Sequence, residues 1–431
     1  MAADARALDV IDAVSGEDQA FTAGYSGRST AEKYHRDQTY GVEELLERPD
    51  GWSWGRTVKT SVTYDGNIFS ARQDPKDDLI YTTGLPMTWT RQRKDGYVKL
   101  FYDINYVTYV ENEKLGRANH QMGTTVGYRI DKLTMTLNES FRPSSAVSVG
   151  ERTELKTAES SRVTTFSNAL SLNTDYDVST KTRIGWDYAH NLFFLPSAQN
   201  AATLSNFSTQ KHTFGPRFSY QWRPRVGVSG RAVWTVTDYY LETGAPFDSV
   251  ESAYGGGINL KLTDKTSLYA GADLVHREYE QFEIEPTKGY RFQSSINRRF
   301  SPKISGTITY TRDNTSETLD RTLYSSFGQT QQQAGINLSW FLTTKITIEG
   351  SASAGLIENE GLITRRDPDN PTLTFTRPKE DDFYQYSLSL RWRPRPAFSF
   401  LLAYFFFKKN STFKDFEYDN QRFVSAVEYV F

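Results

Sequence analysis

From Thr57 to the last residue, apolar and polar side chains alternate at period two, in segments of about ten residues that each end at a turn. Such a pattern can bury only one face of each segment, so it specifies strands that share a common apolar surface. Val98, Leu100, Tyr102, Ile104 and Tyr106 point one way, while Lys99, Asp103 and Asn105 point the other. Phe166, Leu170, Leu172 and Tyr176 oppose Ser167, Ser171, Asn173 and Asp175 in the same manner. Tyr384, Tyr386, Leu388, Leu390 and Trp392 repeat it near the end.

No stretch approaches the roughly 20 consecutive apolar residues of a membrane helix. The most apolar run, Phe398 to Phe407, has ten residues and includes Ser399. A barrel strand needs an apolar residue only at alternate positions. A mean hydropathy of -0.59 and 24% charged residues are therefore compatible with a chain that spans a membrane by strands. Tyr (26) and Phe (27), with Ser and Thr between them, are a strand composition.

The connections alternate in length. The short ones are Arg93 to Gly96, Asp131-Lys132, Asp177 to Thr180, Arg223 to Arg225, Thr263 to Lys265, Ser301 to Lys303, Leu342 to Thr344 and Arg393 to Pro396. The long, acidic ones include Phe69 to Asp78, Arg142 to Ser161, Leu195 to Ser208 and Ile357 to Asp382. Short periplasmic turns alternating with long external loops predict an all-β, antiparallel, up-and-down transmembrane β-barrel of about 18 strands. Trp89, Tyr128, Tyr176, Trp186, Trp222, Phe300, Trp340, Trp392 and Phe398 flank the short turns on the outward parity and predict a lower aromatic girdle. Pro86 and Pro216 fall inside strands, where each removes a ladder donor, so bulges or distorted pairing are expected there.

The last strand carries a resemblance. Phe423, Val427, Tyr429 and the terminal Phe431 share one face, with Ser425 the single small polar exception. This resembles the C-terminal assembly signal of bacterial outer-membrane proteins. The resemblance implies the outer membrane of a Gram-negative bacterium and recognition by the barrel-assembly machinery. In length, strand number and Tyr/Thr-rich hairpins, Thr57 to Phe431 is also similar to the β-barrel porins encoded beside exopolysaccharide gene clusters.

Parity also names the side chains expected to line the lumen. The basic ones are Lys59, Lys99, Arg129, Lys181, Arg183, Arg217, Arg231, Lys261, Arg277, Arg291, Arg299, Arg391 and Arg422. The acidic ones are fewer: Asp65, Asp103, Asp175, Asp187, Asp273, Glu349 and Glu428. The short turns add Arg93, Lys94, Lys132, Arg223, Arg225, Lys265, Lys303, Arg393 and Arg395, whereas the external side carries clusters such as Glu278, Glu280, Glu283 and Glu285, or Glu380, Asp381 and Asp382. A confined positive entrance concentrates anions. The expected function is a pore that passes an anionic substrate, such as an acidic exopolysaccharide, from periplasm to exterior. The alternatives are lumenal charges that only brace the wall, and a non-conducting scaffold that anchors or sheaths a partner protein. Expected partners are outer-membrane lipid, lipopolysaccharide, the barrel-assembly machinery and periplasmic export components, with no nucleic acid.

The chain has no Cys, which removes disulfides, thiolate metal sites and covalent haem. No cofactor is expected. His190, His212 and His276 take the outward parity, and neither a Ser/His/acid spacing nor a Gly-x-Ser-x-Gly elbow is present. The chain is therefore not expected to be an enzyme; a hydrolase whose site assembles from separate strands is the lesser alternative. Residues 1–52 lack the barrel pattern and read as a periplasmic or plug segment, partly helical or disordered, with the barrel over 53–431. Met1 is followed by Ala-Ala-Asp-Ala-Arg rather than an apolar signal, so the chain reads as a mature form.

Overall fold

The computed structural model describes residues 51–68, 75–147, 162–194, 208–240, 248–279, 286–315, 328–366, 374–413 and 417–431. The sequence reading of residues 1–50 lies outside them. Nineteen strand segments form one antiparallel sheet. In chain order they are β1 (Gly51–Asp65), β2 (Asp78–Gly84), β3 (Met87–Arg93), β4 (Gly96–Tyr109), β5 (Arg117–Ile130), β6 (Leu133–Val147), β7 (Arg162–Asp177), β8 (Thr182–Phe194), β9 (Ser208–Arg223), β10 (Val226–Tyr240), β11 (Ser249–Thr263), β12 (Thr266–Tyr279), β13 (Thr287–Ser301), β14 (Ile304–Thr315), β15 (Gly328–Phe341), β16 (Ile346–Arg366), β17 (Thr374–Arg395), β18 (Phe398–Ser411) and β19 (Tyr418–Val430). A 3-10 turn at Glu113–Leu115 lies between β4 and β5.

β2 and β3 are two halves of one strand, so the wall has 18 strands, as the sequence predicts. The division falls at Leu85-Pro86. β2 pairs with β1 from Lys59↔Gly84 to Asp65↔Asp78, and β3 pairs with it from Gly51↔Gln92 to Arg56↔Met87. Thr57 donates to the Pro86 carbonyl (3.0 Å) and Leu85 donates to the Ile104 carbonyl (2.9 Å), so the backbone is stitched across the gap. At Pro216 the pairing is distorted, as expected there, but without a bulge. β9 and β10 lack pairing between Arg231↔Arg217 and Trp234↔Phe214, yet the register on both sides of that gap is the same. Two rungs are lost there and no residue is inserted.

β1 pairs with β19 from Thr57↔Val430 to Asp65↔Arg422, which closes the barrel and removes every edge along that length. The short connections match the sequence reading to within a residue or two. In the two-residue connection Asp131-Lys132, Asp131 has φ 51°, a left-handed conformation that Asp tolerates better than most residues. The long connection expected from Ile357 to Asp382 is mostly ladder instead. β16 runs on to Arg366 and β17 begins at Thr374, with one irregularity between Glu358 and Leu362. Paired backbone continues beyond the apolar belt because Thr, Phe and Ile there still favour strand.

Two faces follow from period two. The outward phase carries the exposed apolar side chains, including Leu100, Ile184, Tyr254, Leu274, Ile308 and Leu388. The expected girdle is on it: Tyr128, Tyr176, Trp186, Trp222, Phe300, Trp340 and Trp392 are exposed near the short turns, and Trp89 and Phe398 are half-buried. Phe423, Val427, Tyr429 and Phe431 share this outward face on the last strand. The inward phase is mostly polar, with one apolar patch at the seam formed by Leu401, Ala403, Phe405, Val424 and Ala426 and a second formed by Ile80, Val107, Tyr109 and Leu115.

Candidate functional site: the charged inner wall

Directly opposed residues of neighbouring strands share a face, so the register fixes which inward side chains stand together. One row runs Arg129↔Thr134, Thr134↔Asp175, Asp175↔Gly185, Gly185↔Arg217, Arg217↔Arg231, Arg231↔Gly255, Gly255↔Asp273 and Asp273↔Arg291. Two glycines separate opposite charges in this row. Gly185 lies between Asp175 and Arg217, and Gly255 lies between Arg231 and Asp273. With no side chain on the middle strand, each arginine reaches across it.

Arg217 contacts Asp175 at 2.9 Å and Asp187 at 3.0 Å. Arg231 forms a two-point contact with Asp273, through Nε at 3.0 Å and Nη2 at 2.5 Å. A Cβ on Gly185 would come within 2.8 Å of the Arg217 Nε, and one on Gly255 would overlap the Asp273 carboxylate. A second group lies towards the external end. Glu251 on β11 holds Arg277 (2.5 Å) and Arg291 (2.8 Å), and Arg291 also reaches Asp313 (2.5 Å) and the Asn314 carbonyl (3.1 Å). Glu251, Arg277 and Arg291 are all buried. Forked guanidinium–carboxylate contacts of this kind are directional as well as charged.

The remaining sequence-named residues divide by height. Arg422 pairs with Asp65 (2.7 Å) at the seam. Lys59 stands opposite Glu428, and Lys99 stands opposite Thr90 and Thr125. Nearer the short turns, Arg183 pairs with Asp177 (2.7 Å) and Lys261 with Asp264 (3.3 Å). Arg129 is exposed, and its Nε donates to the carbonyl of Asp131 in the adjoining turn (3.5 Å). Arg299 is exposed opposite Ser305, Arg391 stands opposite Thr347 and Leu401, and Lys181 lies in the connection after β7 rather than on a strand.

The inner wall is consequently less basic at mid-height than parity counting indicates. The acids that correct it are Glu251 and Asp313, which sequence reading missed. The Gly255-Gly256-Gly257 run leaves the parity of β11 without side chains to read, and Asp313 sits at the outer end of β14 where the alternation fades. Asp381 is a second correction. The sequence places it in an acidic cluster of an external loop, yet it lies wholly buried on β17, paired with Lys409 (3.0 Å) and accepting a hydrogen bond from Ser411 (2.5 Å).

Charge without acidic partners is concentrated at the short-turn end. Lys94, Lys132, Arg223, Arg225, Lys265, Lys303, Lys345, Arg393 and Arg395 are exposed there, together with Arg129 and Arg299. None of them has a carboxylate within ion-pair distance among the described residues; Arg223 stacks on Trp222 at 5.4 Å. The described histidines belong to the outer surface. Tyr102 and His120 are hydrogen bonded (2.8 Å), His190 stacks on His212 (4.7 Å), Tyr188 contacts His212 (3.1 Å), and His276 contacts Glu278 (3.0 Å). These are pairs of packed side chains; no described group of three His, Asp or Glu is placed to hold a metal ion.

No family model matches the chain, and no curated protein matches it. Many solved structures do match. Among them, the copper transporter OprC is 10% identical with a TM-score of 0.49, and the match covers 84% of this chain and 62% of that one. The siderophore receptor PirA of Acinetobacter baumannii is 7% identical with a TM-score of 0.52, covering 89% and 81% of the two chains. The siderophore receptor PirA of Pseudomonas aeruginosa is 8% identical with a TM-score of 0.50, again covering 89% and 81%. At such identities the likeness to the two receptors is one of fold alone. Closed antiparallel wall, outward apolar belt, lower aromatic girdle and the likeness to the two receptors together make the fold that of an outer-membrane β-barrel.

Proposed function

We propose that this chain is a transport barrel of the outer membrane, a conduit that draws an anionic solute in from the periplasmic side, with an acidic exopolysaccharide as the cargo. The observation that carries the reading is the rim of exposed cations on the short turns, without acidic partners among the described residues, set against a mid-wall where arginines are matched by carboxylates. Fixed unmatched charge at a confined mouth raises the local anion concentration. Matched charge further in leaves polar wall without a deep anion trap, which permits passage rather than capture. Barrels of about 16–18 strands are wide enough for an aqueous channel. The two neighbours described as siderophore receptors are in keeping with a transport role, and a non-enzymatic barrel follows from the same reading.

The test is ion selectivity of the purified full chain in planar bilayers. Arg129→Gln, Arg299→Gln, Lys265→Gln and Lys303→Gln together are expected to shift the reversal potential towards cation permeation while conductance persists. An unchanged reversal potential would remove the rim from the mechanism. Absence of current in the native chain would favour the non-conducting scaffold instead.

A further inference from the structure

The outward face of β13 and β14 ends in cations. From the short-turn end upwards, β14 presents Ile304, Ile308, Tyr310 and then Arg312. β13 presents Ile296, Phe292, Tyr290 and then Lys288 on the same face. In both, apolar residues give way to aromatic and then to basic ones, the order in which a side chain passes from hydrocarbon to headgroup.

The Arg312 guanidinium lies 4.3 Å from the centre of the Tyr290 ring, and its Nε is buried with no hydrogen-bond acceptor. Asp313, the next residue, points inward to Arg291 and cannot neutralise it. Glu278, the outward acid nearby, is engaged by His276, which stands directly opposite Lys288. Neither Lys288 nor Arg312 has an acidic partner among the described residues. Three outward tyrosines at this end are satisfied within the wall: Tyr64 donates to Asp77 (3.0 Å), and Tyr102 and Tyr188 contact His120 and His212.

Two cations without an acidic partner among the described residues therefore stand at the upper margin of a lipid-facing surface, where lipid can supply anions. We propose that Lys288, Tyr290 and Arg312 form a binding site for a phosphorylated glycolipid headgroup of the outer leaflet, as in lipopolysaccharide. The ring fixes the guanidinium through its face. The remaining N–H donors of Arg312 and the ammonium of Lys288 then take phosphate oxygens. The exposed Leu274, directly opposite Tyr290, and Ile308 below Arg312 would meet the acyl chains.

Native mass spectrometry of the full chain in detergent, titrated with lipid A, tests the assignment. Lys288→Gln with Arg312→Gln is expected to weaken retention about tenfold or more. Arg298→Gln serves as the matched control, because Arg298 also lies over an outward ring, Phe300, but at the opposite end of the strand. It is expected to leave retention unchanged, and dephosphorylated lipid A is expected to bind weakly to every form. Heat-modifiable migration on gels verifies that each variant is folded, and the single substitutions are each expected to give part of the loss. Equal retention by the double variant, or equal binding of dephosphorylated lipid A to the native chain, would overturn the site.

Discussion

Glu251 illustrates how one carboxylate can set the character of an inner wall, because it is buried between two guanidiniums and holds both. Replacing it by Gln keeps the shape and removes the charge, leaving Arg277 without its ion-pair partner. The Glu251→Gln barrel is expected to lose about 3 kcal/mol of stability, as for a buried pair deprived of one partner. Asp177→Asn, which breaks the much more exposed pair with Arg183, is expected to cost less than about 1 kcal/mol. Urea unfolding of the two variants in lipid vesicles compares them directly. The bare position at Gly255 is the other residue-scale device. Gly255→Val would overlap the carboxylate that Arg231 grips and the Ala272 carbonyl behind it. It is expected to destabilise the barrel by about 1–3 kcal/mol through overpacking, and the same unfolding measurement checks it. Sequence parity placed Arg217, Arg231, Arg277 and Arg291 inside. It could not show which acids meet them, because each partner comes from another strand.

At the scale of elements, Pro86 and Asp78 act on the same strand. Pro86 interrupts the ladder between β2 and β3, and the continuous neighbours β1 and β4 hold the two halves in line. Asp78 then anchors the upper half. Its buried carboxylate accepts from the backbone N–H of Val110 (2.9 Å), Glu111 (3.1 Å) and Asn112 (3.0 Å), and from the Asn112 side chain (2.7 Å). Asp78→Ala would leave these donors unsatisfied, at roughly 1–3 kcal/mol. Faster amide exchange confined to residues 110–112 and the end of β4 is the expected signature; protection equal to the native chain would show that the carboxylate is dispensable. The proline at 86 was legible as a defect in the sequence, and so was the one at 216. Their different outcomes were not: a closed ladder can lose two rungs at Pro216 without changing register, whereas at Pro86 the strand is divided.

For the whole molecule, the closing pair of β1 and β19 turns a row of strands into a wall with two environments, and the charge at its two ends then acts on solutes rather than on folding. Because the rim cations are exposed, their influence reaches only about 10 Å at 0.1 M salt and about 3 Å at 1 M. Anion selectivity of the native pore is therefore expected to fall steeply between those concentrations, whereas selectivity from a narrow, desolvated filter would persist; reversal potentials over the two ranges distinguish them.

The sequence by itself determined the strand number, the short turns, the two faces of the described strands and the aromatic girdle, since each of these is a local consequence of period two and of turn chemistry. Only the tertiary structure decided which charges cancel. Residues as distant as Glu251 and Arg291, or Asp175 and Arg217, become neighbours through strand register and through the glycines between them. Electrostatic neutralisation depends on distance in space, and no periodicity along one chain records that distance.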